Sequence, residues 1–328
     1  MISRSANRLA LLALILVGLA LLRLTVGHQL GWPAERIVRE LRLASVVGAI
    51  VVGVCLSVSG VMLQSLLRNA LASPYILGLA AGAALGVGTV QLLGRTSDPV
   101  PWLTQPVAAV AGSLLALLLV YRLSRRDGMI EPMTMLLVGV MISVIASALL
   151  MLVQFMMGPS ADQLLRWMMG RIAPETPWSL LATGLIVGLG GLALGMRWAP
   201  ALDAATLSDD EAISVGVHLG SLRLWIFVIA GTLTAMSVLL AGPIGFIGLI
   251  APHAARLLVG PKHAGLLLGA ALIGAALLLA ADSAVQIIPH LPWIPQPRGL
   301  LPIGILTSAI GGPMFIYLLR RRHREWMP

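Results

Sequence analysis

Long apolar runs separated by short polar breaks recur along the chain, at about 9–27, 43–66, 75–94, 102–121 and 132–157. They return at about 178–196, 222–241, 244–258, 264–287 and 300–319. A helix needs about 20 apolar residues to cross a hydrocarbon core of about 30 Å, and most of these runs are that long. The run at 244–258 is short and is bracketed by Pro243 and Pro252, so charge placement must decide it. Arg4 and Arg8 precede the first run, and Arg320, Arg321, Arg322 and Arg324 follow the last. Basic tails favour the cytoplasmic side, and two cytoplasmic tails require an even number of spans. Dropping 244–258 would carry the C-terminal arginines outside. The pattern therefore predicts an all-α polytopic membrane protein with ten transmembrane helices and both termini in the cytoplasm.

Two stretches break the pattern. Residues 163–170 (QLLRWMMG) are too short to cross and carry Arg166, so they predict a half-helix outside the fifth span. Residues 206–219 (TLSDDEAISVGVHL) form the longest acidic stretch, in the cytoplasmic loop after the sixth span. Ser208 and Glu211 have capping-box spacing, and Asp209 and Asp210 occupy the first turn that favours acids. Gly216 supplies a stop signal, which predicts a short helix over about 208–218. Alone in water so short a helix is marginal, so it must pack against something.

Composition excludes the soluble alternative. The 328 residues are 58% hydrophobic and 11% charged, with mean hydropathy +0.95, against about 45–50% and about 25% in soluble domains. Ten spans use roughly 200 residues, and the short loops that remain cannot hold a soluble domain of 50 or more residues. Any soluble chemistry must come from a partner. The net charge of +9 rests on 22 basic residues, of which Lys262 is the only lysine. In a membrane chain this reports loop topology rather than nucleic-acid binding. Cys55 is alone in an apolar run and reads as packing. No small-residue cleavage site follows the run from Leu9 to Leu22, so it reads as an uncleaved first span.

Glycines supply a packing logic. Gly78, Gly82 and Gly86 form a ridge at four-residue spacing, and the pairs Gly184/Gly188, Gly191/Gly195 and Gly265/Gly269 repeat it. Small ridges let backbones approach where lipid offers no hydrophobic drive between helices. Asp282 lies inside the ninth run, where a carboxylate is either an ion relay or a helix-packing group. A relay normally needs several such acids, and no second one stands in a span, so a packing hydrogen bond near the outer end is expected. His253 and Arg256 near the inner end of the eighth run read as interfacial or capping groups. The methionines around the fifth run (Met133, Met135, Met141, Met151, Met156, Met157) read as packing before pathway lining. No His/Cys/Asp/Glu cluster has metal-site spacing, and no nucleophile elbow, P-loop or dinucleotide fingerprint is present.

Several segments, in order, resemble the FecCD-type permeases, the membrane subunits of ATP-binding cassette (ABC) importers for iron–siderophore complexes, haem and vitamin B12. QSLLRNALASPYILGLAAGAALG (Gln64–Gly86) is similar to the family's signature after the second span, with Gln64, Asn69, Pro74, Gly78 and Gly82 matching. GPIGFIGLIAPHAARLLVG (Gly242–Gly260) resembles its most distinctive segment through Gly242, Pro243, Gly245, Phe246, Gly248, Pro252, His253 and Arg256. RWMMG (Arg166–Gly170) and Ala281–Asp282 also match. LPIGILTSAIGGPMF (Leu301–Phe315) adds Pro302, Gly304, Gly311, Gly312 and Pro313.

The resemblance implies a type II ABC importer permease in the bacterial inner membrane, paired with a second copy of itself. It implies cytoplasmic ATPase subunits that bind ATP and Mg, no cofactor or metal in this chain, and a periplasmic or lipid-anchored substrate-binding protein. In the family the loop after the sixth span carries the helix that couples to the ATPase, and Glu211, Ala212 and Gly216 match it; Ser208 and Asp210 belong to the same short helix. The chain also departs from the pattern. Arg42 matches the first arginine that meets the binding protein, but Ala44 and Ser45 replace the following Pro-Arg, and Gln286 replaces a third arginine. Ala70 stands where the family has proline. The loop at 287–300 is longer than usual and holds Trp293 and Arg298, so Arg298, with Arg36 and Arg39, is a candidate to compensate in docking. Cargo identity stays open among siderophore, haem and cobalamin. The rival expectations are a proton- or sodium-coupled transporter using Asp282 and a non-transporting membrane scaffold.

Overall fold

The computed structural model describes residues 2–27, 31–94, 104–126, 129–206, 209–292 and 301–325. Ser208, Trp293 and Arg298 lie outside them. The first helices are α1 (Ile2–Thr25), α2 (Arg36–Leu66), α3 (Leu79–Leu93) and α4 (Thr104–Leu123). A two-residue antiparallel ladder, β1 (Arg125–Arg126) with β2 (Met129–Ile130), leads to α5 (Pro132–Met157). Then come α6 (Ala161–Met168), α7 (Trp178–Arg197), α8 (Ala199–Ala205) and α9 (Asp209–Ser214). The chain closes with α10 (Leu219–Ala241), α11 (Ile247–Leu258), α12 (His263–Ile287) and α13 (Ile303–Glu325).

Among the described residues, 6 helices are long and apolar enough to cross a membrane, within α1, α2, α5, α7, α10 and α12. Shorter apolar helices fall within α3, α4, α11 and α13. Together they follow the ten predicted spans in order, in an all-α multi-pass membrane protein. The helix α6 stands near the predicted half-helix. The helix α8, which follows α7 almost without a break, was not foreseen.

Close backbone approaches build the centre. A Cβ on Gly60 of α2 would lie 1.9 Å from Gly248 O of α11, and one on Gly53 would lie 2.5 Å from Gly274 O of α12. The α7 glycines face the same centre, Gly184 towards Val51 and Leu240 and Gly195 towards Met62 and Leu267. The expected ridge on α3 is made by Gly82 and Gly86, which meet Gly112 and Ala108 of α4 at backbone distance. Gly78 is not part of it. It stands in a left-handed junction, φ +76, between a 3-10 turn over Pro74–Leu77 and α3.

The helix α2 is the axle of one apolar core shared with α7, α10, α11 and α12, while α3, α5 and α6 share a smaller one. Four of the methionines read as packing, Met133, Met141, Met151 and Met156, instead face outward on α5. Only Met135 and Met157 are buried. The side chains of Met133, Met141 and Met151 lie on a broad apolar face of α5 that is exposed among the described residues.

The helix α11 has 12 residues and is about 18 Å long, too short to cross a core of about 30 Å. The rest of that passage is the non-helical segment Gly242–Phe246. Irregular backbone at such depth must be satisfied by protein. The Tyr75 hydroxyl accepts from Ile244 N–H, and Gly242 packs so closely that a Cβ would lie 2.5 Å from Trp167 O. Phe246 holds φ +67, with its ring in the space that a Cβ on Gly311 would take.

Candidate functional site

One end of the bundle gathers the ends of α2, α7 and α11, the starts of α10 and α12, and the short helices α8 and α9. Asp209 opens α9, and its carboxylate accepts from Arg223 of α10 at 2.9 and 3.0 Å and from Arg68, just past α2. Arg68 also donates Nε to Ala205 O at the end of α8, 3.0 Å. Burial raises the pKa of the Asp209 carboxyl, but the hydrogen bonds and charges of Arg223 and Arg68 outweigh this and hold it below the usual carboxylate range.

The stop at Gly216 has a defined form. Val217 N–H bonds Ala212 O at 3.0 Å and Gly216 N–H bonds Ile213 O at 2.9 Å, the Schellman pair, with Gly216 at φ +86. This geometry seats Ala212 in the protein at 0% exposure and leaves Asp210, Glu211, Ile213 and Val215 outward. The face is acidic and apolar by turns.

The signature residues knit the same end. Gln64 of α2 donates Nε2 to Ala72 O and Gly248 O at 3.4 and 3.5 Å, and its Oε1 accepts from Arg256 at 2.6 Å. Arg256, part-buried near the end of α11, is thus a partner of Gln64 on α2. Asn69 Oδ1 accepts from Leu71 N–H at 3.0 Å, closing the RNALA turn without a proline at Ala70. Pro74 packs against Gly248. His253 is part-buried on α11 and Pro252 is buried. A relay missing from the sequence reading joins Asp203 of α8, His263 of α12 and Ser65 of α2, with both ring nitrogens 2.6 Å from their partners.

The opposite end holds α6 and the remaining matches. Gly170 and Gly304 sit against Pro243 O and Met169 O, and Ile303 N–H bonds Gly170 O at 3.1 Å. Pro302 lines a cavity of about 300 Å³ there. Gly245 and Gly312 are uncrowded, and Pro313 lies inside α13.

Asp282 accepts from Arg23 of α1 in a buried ion pair, and Arg23 also donates to Val26 O at 2.8 Å. The expected packing role is therefore carried by an ion pair rather than a neutral hydrogen bond. Two charges in apolar runs are the signal that should have paired them.

Arg42 differs more sharply from expectation. Instead of presenting its charge outward it is 7% exposed, and its Nη1 donates to Leu24 O and Gly31 O, both at 2.8 Å. The carbonyls left at the end of α1 and in the following loop draw the guanidinium inward. Among the described residues Arg36, Arg39 and Arg171 are exposed at this end, with Arg36 paired to Glu40 at 2.8 Å and Arg171 to Glu175 at 3.4 Å.

The profile of the FecCD transport family matches residues 9–321. The chain belongs to the FecCD transport family. It is 35% identical to the hemin transport system permease protein HmuU of Yersinia pestis over 87% of this chain and 84% of that one. It is 34% identical to the cobalamin import system permease protein BtuC of Halobacterium salinarum over 90% of this chain and 76% of that one. To the Fe(3+) dicitrate transport system permease protein FecD of Escherichia coli it is 33% identical, over 94% and 97%. A solved metal-chelate type ABC transporter in an inward-facing conformation superposes with TM-score 0.84 at 28% identity, over 96% of this chain and 99% of that one. The fold of this FecCD chain is that of a type II ABC importer permease.

Proposed function

We propose that the chain is the permease subunit of an ABC importer that carries an iron–siderophore complex, haem or cobalamin across a bacterial inner membrane. It works with a second copy of itself, with cytoplasmic ATPase subunits that bind ATP and Mg, and with a binding protein on the far side. The chain holds no ATPase site, and both termini face the cytoplasm.

The observation that carries this reading is α9. Asp209 ties it to α2 and α10 while Glu211, Ile213 and Val215 stay outward, so a protein seated on that face pulls on the core helices. An amphipathic helix in a partner's groove is a common recognition mode. Driving a change of access then requires contacts that differ between two states. The apolar outer face of α5 is available to the second copy and to lipid. A coupling role for Asp282 in a proton- or sodium-driven carrier is disfavoured, because Arg23 already balances its charge in a buried pair.

The test is Glu211→Lys combined with Gly216→Leu. The variant should insert normally and lose co-purifying ATPase; unchanged association and uptake would refute the assignment. Uptake competition in vesicles among ferric siderophores, haem and cobalamin identifies the cargo.

A further inference from the structure

The arm is formed by α8 (Ala199–Ala205) and α9 (Asp209–Ser214), and neither helix is long enough to hold its own shape. Its attachments to the bundle decide where α9 sits. One is apolar, through buried Ala199 and Leu202 of α8 and Ala212 of α9. A second is the Asp209 clamp, in which Asp209 is 42% exposed and its partners Arg68 and Arg223 are 36% and 10% exposed.

The third is buried on one side. Asp203 Oδ1 accepts from the His263 backbone N–H at 3.0 Å and from its Nδ1 at 2.6 Å. The carboxylate thereby caps the first turn of α12, where backbone donors lack helical partners. The Nε2 of His263 lies 2.6 Å from Ser65 Oγ, which itself reaches Val61 O at 2.8 Å. With 3% of its surface exposed, one imidazole joins α8, α12 and α2.

The ring also fixes a choice. It walls a cavity of about 410 Å³ that Arg256 and Lys262 line as well, and Asp203 is the only carboxylate among the lining residues. Arg256 is already bonded to Gln64 Oε1, and among the described residues it is His263 that holds the Asp203 carboxylate.

We propose that His263 is a positioning residue for ATP-driven transport, fixing the arm on α2 and α12 so that a displacement of α9 moves those helices instead of the arm alone. The proposal rests on α9 being the ATPase contact.

The test uses the permease reconstituted in vesicles with its binding protein and the ATPase that co-purifies with it, and the cargo that wins the uptake competition. Asn at 263 can place an N–H near the Nδ1 position and keep the bond to Asp203, whereas Gln reaches towards Ser65. His263→Ala should lower cargo moved per ATP hydrolysed by about tenfold, the scale of one lost charge-assisted hydrogen bond, with the ATPase still bound. His263→Asn should recover most of that ratio and His263→Gln should not.

An unchanged ratio in His263→Ala, equal recovery by Asn and Gln, or joint loss of assembly, hydrolysis and transport in all three variants would overturn the proposal. Should His263→Ala alone fail to assemble, the Asn and Gln variants decide. The α9 variant separates the two readings. Normal ATPase association there refutes the α9 assignment, while lost association there with a normal ratio in His263→Ala refutes only the relay.

Discussion

The helices α2 and α5 are both long and both strongly apolar, with peak mean hydropathy of 2.5 and 2.8, yet they occupy opposite situations. Within those windows 83% of α2 is buried by the rest of the chain and only 17% of α5. Hydropathy measures partition into lipid and cannot say which helix faces protein. Side-chain size can. The α2 sequence carries Gly48, Gly53, Ser57, Ser59 and Gly60, whereas the exposed side of α5 carries Met141, Met151, Leu152 and Phe155. Without a hydrophobic drive between helices in lipid, close contact of small residues selects the axle.

The largest effect should come from filling that contact. A side chain at Gly60 meets the Gly248 backbone, which cannot move aside as a flexible side chain would. Gly60→Leu is expected to yield no folded permease in detergent, measured by size exclusion and thermal melting. Phe155→Leu on α5, 86% exposed, should change stability by about 0.5 kcal/mol or less. Equal damage from both would erase the distinction between axle and outer helix.

Next in size is the ion pair that ties α1 to the block around α2. Removing one partner leaves a charge buried and unpaired, typically about 3–5 kcal/mol, while replacing both with apolar residues is often neutral. Arg23→Leu and Asp282→Leu should each lower the melting temperature strongly, and the double variant should recover most of the loss. A double variant as unstable as either single one would show that the pair is not what holds α1.

Much of this arrangement was legible in the sequence, and the exceptions have a common cause. The ten apolar runs, the α3 ridge at Gly82 and Gly86, and the short acidic helix ending at Gly216 depend on neighbours within a few residues. The pairings Arg23–Asp282, Gln64–Arg256 and Asp203–His263 join residues far apart in the chain, which only the assembled bundle brings together. The partners of Arg42, which the family resemblance implies for docking, are remote in the same way. The carbonyls that hold it belong to α1 and to the loop at Gly31. The helix α8 escapes the span pattern because APALDAA has only 7 residues and follows Arg197 and Trp198 with Pro200 in its first turn.

The smallest effect concerns α9, which unlike α2 is held largely by charge. The Asp209 carboxyl titrates below its ordinary value because Arg223 and Arg68 favour the ionised form. A depressed carboxyl stabilises the folded arrangement above its unfolded pKa, and that contribution disappears as pH falls through the lower folded value. Corrected for the intrinsic pH dependence of exchange, the protection of α9 amides should therefore be higher at neutral pH and fall in acid, while amides in the middle of α2 stay protected. The clamp is partly exposed, so the change should be about 1 kcal/mol or less. In Asp209→Asn the α9 amides should exchange faster at neutral pH and lose most of their acid dependence. Undiminished acid sensitivity in that variant would mean that another group, not Asp209, holds the helix in place.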